Sequence, residues 1–185
     1  MGRAFVPIDR RVALLRGINV GTAKRIAMAD LRQLVERLGY QEVRTLLNSG
    51  NVVFTVPGED AADPGPRIER TIRDRLGITT RVTVLTGREL GAAVGRNPLR
   101  AVAHDPSRLL VVVLREAGAA ASLRPLLKQD WKPEALALGK GVAWLWCPNG
   151  SLGGRLWSAV ERALGDAGTT RNLATMTKLL ALVEG

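Results

Sequence analysis

Short apolar segments alternate with segments of helical periodicity, and this order most constrains the fold. Residues 11–86 follow the order strand, helix, strand, strand, helix, strand. Leu31, Leu34 and Leu38 recur at helical spacing, and Gly39 then closes the helix as a left-handed cap. The order βαββαβ is that of the split βαβ unit, in which two helices cover one face of a four-stranded antiparallel sheet. We therefore expect an α+β fold of ferredoxin-like type.

The second part of the chain repeats this order of elements without repeating the sequence. It contains a predicted strand at 109–114, a helix at 119–129 and a hairpin formed by 134–138 and 142–147. A further helix, a brief strand at 169–171 and a C-terminal helix follow. The sequence thus predicts two sequential ferredoxin-like halves with antiparallel sheets, residues 1–87 and residues 88–185, the second carrying the extra helix.

Composition narrows the class of protein. No apolar run reaches the roughly 18 residues that a membrane span requires. The first nine residues lack the apolar core of a secretory signal. The single cysteine, Cys147, allows no internal disulfide and fits a reducing compartment. We therefore expect a soluble, cytoplasmic protein with no membrane partner, while the oligomeric state stays undefined.

The net charge of +10 suggests nucleic acid as a partner. However, residues 1–90 carry 15 basic and 10 acidic groups and residues 91–185 carry 12 and 7, so each half is +5. Arginine supplies 22 of the 27 basic residues, which is typical of a GC-rich genome. A solvated basic surface therefore explains the charge better than a nucleic-acid interface, although phosphate-bearing partners remain allowed.

Several motifs resemble one bacterial family. They are Ala13-Leu-Leu-Arg-Gly-Ile-Asn-Val-Gly21, Met28-Ala-Asp-Leu31, Asn48-Ser-Gly-Asn-Val-Val-Phe54 and the closing Arg171-Asn172, Thr175 and Lys178-Leu179. The chain is identified by them as a member of the domain-of-unknown-function family numbered 1697, over essentially its whole length. The resemblance implies an α+β fold of ferredoxin-like type and no established activity. The family's Ser-Lys-Leu stands here as Gly154-Arg155-Leu156, which retains the positive charge at Arg155.

The loop between the first strand and the first helix is the leading candidate site. Backbone N–H groups near a helix N-terminus favour anions, and glycines let a ligand approach closely. The spacing departs from a P-loop, because Gly21 is followed by Thr-Ala-Lys. An equally acceptable interpretation is a tight connection in which Asn19 bonds its own backbone. The candidate anion-binding residues of this loop are Arg16, Gly17, Asn19, Gly21, Lys24 and Arg25.

Two further groups of polar residues are candidates. Asn48, Ser49 and Asn51 lie at the predicted hairpin tip, where they serve either a ligand or the turn itself. The spacing of Arg171, Thr175 and Lys178 predicts one face of the last helix, an anion-binding stripe or a solvated face with Asn172 as its N-cap.

Other chemistry is poorly represented. His104 is the only histidine, and no cysteine cluster accompanies it, so the sequence predicts no metal site and no cofactor. The tryptophans at 144 and 146 point the same way on one strand, which favours core packing over base stacking. Three hypotheses remain: binding of a phosphate-bearing small molecule or nucleotide, weak nucleic-acid binding, and an enzyme of unknown reaction.

Overall fold

The strands and helices of the first unit follow the predicted order. The computed structural model describes residues 9–58, 62–116, 118–151 and 153–185. The glycine- and proline-rich sequence of residues 57–66 predicts a surface loop, and this loop and the first nine residues fall partly outside the described residues. The elements are β1 (Asp9–Leu15), α1 (Met28–Arg37), β2 (Gln41–Leu46), β3 (Asn51–Val56), α2 (Pro64–Leu76) and β4 (Val82–Thr86).

Local chemistry explains the buried face of α1 and both ends of α2. In α1, Leu31, Leu34 and Val35 form the buried stripe. In α2, the Asp63 side chain caps the helix by accepting a hydrogen bond from the Gly65 amide at 2.9 Å. Gly77 ends α2 in the left-handed conformation, as glycine readily does.

The first sheet is antiparallel with strand order β2-β3-β1-β4. Its core packs Leu15, Val52 and Phe54 with the buried residues of α1 and α2. Because β1 is antiparallel to both neighbours, Leu14 lies opposite Asn51 and Thr83. The end of β1 therefore lies beside the start of β3 and the start of β4, at the same end of the sheet.

The second unit builds the same sheet from new residues. The elements that follow β4 in the chain are α3 (Gly87–Gly95), β5 (Leu109–Leu114), α4 (Ala119–Leu123), a 3₁₀ helix (Arg124–Lys128), β6 (Ala135–Gly139), β7 (Val142–Trp146), α5 (Arg155–Leu164), β8 (Gly168–Asn172) and α6 (Leu173–Glu184). The second unit begins within α3 and ends within α6. Strand order is β6-β7-β5-β8, again antiparallel. The core lies between this sheet and the helices, with Val112, Leu123, Leu145 and Leu156 buried.

The predicted α+β fold with two βαββαβ halves and a C-terminal helix is confirmed. Residues up to Leu90 with Ala181–Gly185 form one compact unit, and Gly91–Leu180 form the other. The predicted domain boundary at 87/88 stays a prediction. Within the described residues, no helix combines the length and the apolar character that crossing a bilayer demands.

Two predicted elements need correction. The helix expected over 119–129 is α4 followed by a 3₁₀ helix, and Pro125 lies at the change because its ring and missing N–H disfavour an α-helical interior. The last helix begins at Leu173, so Arg171 lies in β8, opposite Val111. Arg171, Thr175 and Lys178 therefore do not share one helical face.

Candidate functional site

Asn19 organises the loop that joins β1 to α1. Its side-chain Nδ2 donates to the carbonyl oxygens of Ile26 at 2.9 Å and Asn48 at 2.7 Å. Its Oδ1 accepts from the Ile26 amide at 2.9 Å, and its own amide donates to the Lys24 carbonyl at 3.1 Å. With φ of 54°, Asn19 also takes the left-handed backbone that asparagine tolerates better than most residues. The side chain of Asn19 therefore bonds the backbone of Ile26 and Asn48 rather than its own backbone, and it joins the loop to the hairpin tip.

The tip of the same loop presents backbone and cations to solvent. Gly21, Lys24 and Arg25 are exposed, with φ of 63° at Gly21 and 52° at Lys24. The amides of these three residues make no hydrogen bond to any other described residue. The following helix, α1, has Ala27 as its N-cap, and that side chain makes no capping bond. Donors at the tip and at the first turn of α1 are therefore left for solvent or a ligand.

The hairpin tip between β2 and β3 lies against the loop. The Leu15 amide donates to the Gly50 carbonyl at 2.8 Å, and a Cβ at Gly50 would lie 2.6 Å from Ile18 Cδ1. Only glycine fits there, because φ is also +80°. Together with the bond between Asn19 and Asn48, these contacts place both sequence candidates in one cluster.

Ser49 and Asn51 serve the hairpin rather than the surface of this cluster. The buried Asn51 donates through Nδ2 to the Leu46 carbonyl at 2.8 Å and to Ser49 Oγ at 2.9 Å. Arg16 is half-buried, and its backbone is held by Arg81 and by the Thr80 hydroxyl at 2.7 Å. The exposed chemistry of the cluster thus comes from residues 20–25 and from Asn48.

The candidates in the second unit serve different local roles. Asn172 Oδ1 accepts from the Thr175 amide at 2.9 Å, so Asn172 caps α6 as the sequence suggested, while Thr175 is buried and Lys178 exposed. Burial in the sheet lowers the pKa of Arg171 to about 10, and its guanidinium donates to the Thr170 carbonyl at 2.8 Å. These residues form no common stripe.

Arg155 belongs to a groove that sequence reasoning missed. It lies at the start of α5 with its guanidinium carbon 5.7 Å from the centre of the Trp131 ring. The groove has a volume of about 590 Å³, and Arg162, Gln129 and Ser158 also line it. The spacing i, i+3, i+7 of Arg155, Ser158 and Arg162 was the available signal, since it predicts one face of α5.

The tryptophans of β7 and the single cysteine pack in the protein interior. Trp144 and Trp146 are buried, and the Trp144 indole donates to the Ala93 carbonyl at 2.9 Å, so neither offers an open stacking surface. Cys147 is fully buried, and burial raises the pKa of its thiol to about 12. Among the described residues no cluster of His, Cys, Asp or Glu has the composition of a metal site.

A hydrogen-bond network outside the cluster shifts the pKa of one carboxylate, that of Glu42. Glu42 occupies a β-bulge in β2 with φ of 50°, where pairing with β3 shifts register. Its Oε2 accepts from the Thr55 hydroxyl at 2.9 Å and from Arg10 at 3.3 Å. These two hydrogen bonds, that of Thr55 foremost, lower the pKa of Glu42. This network holds an edge strand in place.

Known proteins share this fold. The chain is similar to a solved structure described as that of the conserved bacterial protein SP0830 from Streptococcus pneumoniae, with a TM-score of 0.68 and 22% identity. The similarity covers 95% of this chain and 99% of that one. None of the curated proteins matches the chain significantly. The family described as "Protein of unknown function (DUF1697)" matches residues 8–144, and this chain belongs to it.

Proposed function

We propose that the loop tip formed by residues 20–25 binds a small phosphate-bearing anion, such as a nucleotide or a phosphorylated metabolite. The observation that carries the proposal is the set of exposed amides at Gly21, Lys24 and Arg25, which have no partner among the described residues. The side chains of Lys24 and Arg25 add two positive charges at the same tip.

The physical argument is preorganisation. Successive amides in left-handed and turn conformations form an anion-binding concavity, and glycine allows phosphate oxygens to approach the backbone. Here the Asn19 hydrogen bonds and the buried Ile18 and Ile26 hold both ends of the tip. A ligand therefore orders few additional residues on binding, which reduces the entropic cost of association.

The test is a binding titration followed by ¹H–¹⁵N NMR with inorganic phosphate, pyrophosphate and nucleotides as probes. Binding at the tip shifts the amides of Gly21, Lys24 and Arg25. The double variant Lys24→Gln, Arg25→Gln should weaken it about tenfold or more, because charge-assisted hydrogen bonds are among the stronger polar contacts.

The matched control is Arg70→Gln, Arg75→Gln, which removes the same charge from α2. Equal weakening by both double variants would show general charge attraction and overturn the proposal. Absence of shifts at the tip with every probe would overturn it as well.

Nucleic-acid binding through the basic surface stays a separate prediction. It requires a steep loss of affinity with rising salt, because each neutralised phosphate releases counterions. A single-stranded oligonucleotide titrated at two salt concentrations tests it. Equal weakening by the two double variants is the result that favours this alternative over the loop site.

A further inference from the structure

The groove lined by Arg155 lies along one face of α5, within the second unit. Its volume of about 590 Å³ falls within the range of small-molecule sites. Arg155 and Arg162 line it two helical turns apart, and Ser158 and Ala159 lie between them. A separation of seven residues corresponds to about 10.5 Å along the helix axis. The groove therefore carries one positive charge toward each end and small side chains between.

Neither guanidinium is neutralised within the described part of the chain. Arg155 and Arg162 are exposed, and neither forms an ion pair with a described carboxylate. At the start of α5, the Glu134 carboxylate accepts a hydrogen bond from the Leu156 amide at 3.1 Å. It caps α5 in place of Gly154, which has no side chain to do so.

The wall of the groove combines polar and apolar side chains, and its Trp131 side is fixed in place. Trp131 is only 8% exposed, and its Nε1 donates to the Leu126 carbonyl at 2.7 Å. The indole is thus fixed, and the Arg155 guanidinium lies over it within cation–π distance. Leu126 and Ala163 extend the apolar lining toward Arg162.

We infer that this groove binds an elongated small-molecule dianion, with a carboxylate or phosphate group at each end and an uncharged middle. The end groups pair with Arg155 and Arg162, while the middle lies against Leu126, Ala159 and Ala163. This inference is independent of the loop tip, because its residues belong to the other unit.

The experiment uses the full chain labelled with ¹⁵N and follows the Trp131 indole N–H, assigned from the spectrum of Trp131→Phe. The probes are linear α,ω-dicarboxylates of graded length, α,ω-bisphosphates of matched length, and monocarboxylates as single-charge controls. We expect an optimum of affinity at an intermediate length and weaker binding of every monocarboxylate. Preference for one end group assigns the chemistry of the ends.

Arg155→Gln and Arg162→Gln should each reduce dianion affinity about tenfold or more. We expect Arg155, which lies over Trp131, to bind the single charge of a monocarboxylate. Arg162→Gln should therefore leave monocarboxylate binding nearly unchanged. Arg75→Gln on α2 is the charge-matched control, and circular dichroism checks that the variants fold. The inference is overturned when dianions and monoanions bind alike at all lengths, or when Arg75→Gln has the same effect as the groove variants.

Discussion

Replacing Asn19 by alanine deletes three side-chain hydrogen bonds that tie the loop to Ile26 and to the hairpin tip. A net value of about 1 kcal/mol for each gives about 3 kcal/mol, and partial exposure of Asn19 to water reduces this to about 2 kcal/mol. Alanine also meets a left-handed φ of 54°, which adds about 1 kcal/mol. We therefore expect Asn19→Ala to lower the free energy of unfolding by about 3 kcal/mol.

Asn19→Gly keeps the backbone conformation and should cost about 1 kcal/mol less than alanine. The assay is native-state hydrogen exchange of the β1 amides, because every tryptophan lies in the second unit and fluorescence would report there. Gln33→Ala, at an exposed glutamine on α1 of the same unit, is the control and should stay within about 0.5 kcal/mol. The Asn19 clamp, meaning the three side-chain hydrogen bonds that hold the loop to Ile26 and Asn48, is refuted if Asn19→Ala lowers the free energy of unfolding no more than the control does.

Three further perturbations test other contacts. Gly50→Ala should cost about 2 kcal/mol or more in urea unfolding, because its Cβ would lie 2.6 Å from a buried side chain, whereas Gly77→Ala, with open space at φ of +67°, should cost about 1 kcal/mol; equal losses would contradict the packing argument. Native Cys147 should resist a thiol reagent at pH 8, and rapid labelling of the native protein would disprove its burial. Because the unfolded thiol ionises at lower pH than the buried one, stability should fall as pH rises from 9 toward 12, and Cys147→Ala should reduce this loss. Thr55→Val should raise the pKa of Glu42 toward its ordinary 4.5 in an NMR titration, and an unchanged pKa would exclude the Thr55 hydrogen bond as the cause of the lowered value. The stability that this carboxylate contributes is present above its unfolded pKa and should disappear as pH falls through its folded pKa.

The fold could be predicted because its local and global signals agree. The apolar stripe of α1 and the left-handed glycines at 39 and 77 mark both helices of the first unit. The strand β8 was harder to bound, since Gly-Thr-Thr-Arg-Asn is a polar edge segment whose placement depends on pairing with β5. Helical spacing therefore extended too far toward Arg171.

The candidate site was predicted only in part, because it depends on contacts between distant residues. Because β1 and β3 are antiparallel, the loop after β1 and the hairpin tip before β3 lie at the same end of the sheet. The hydrogen bond from Asn19 to Asn48 depends in addition on the register of the two strands, which the sequence does not give. The position of Arg155 over Trp131 depends on how α5 packs, which the 23 intervening residues do not encode locally.

The Asn19 clamp also has an evolutionary consequence. Ile18 and Ile26 anchor the two sides of the loop in the core, and Asn19 fastens them together. Substitutions between Val20 and Arg25 therefore change the exposed surface of the loop without disturbing the hydrophobic interior. Such a scaffold lets the sequence of one short exposed segment diverge while the fold is kept, and that segment is a suitable place to graft a foreign recognition sequence.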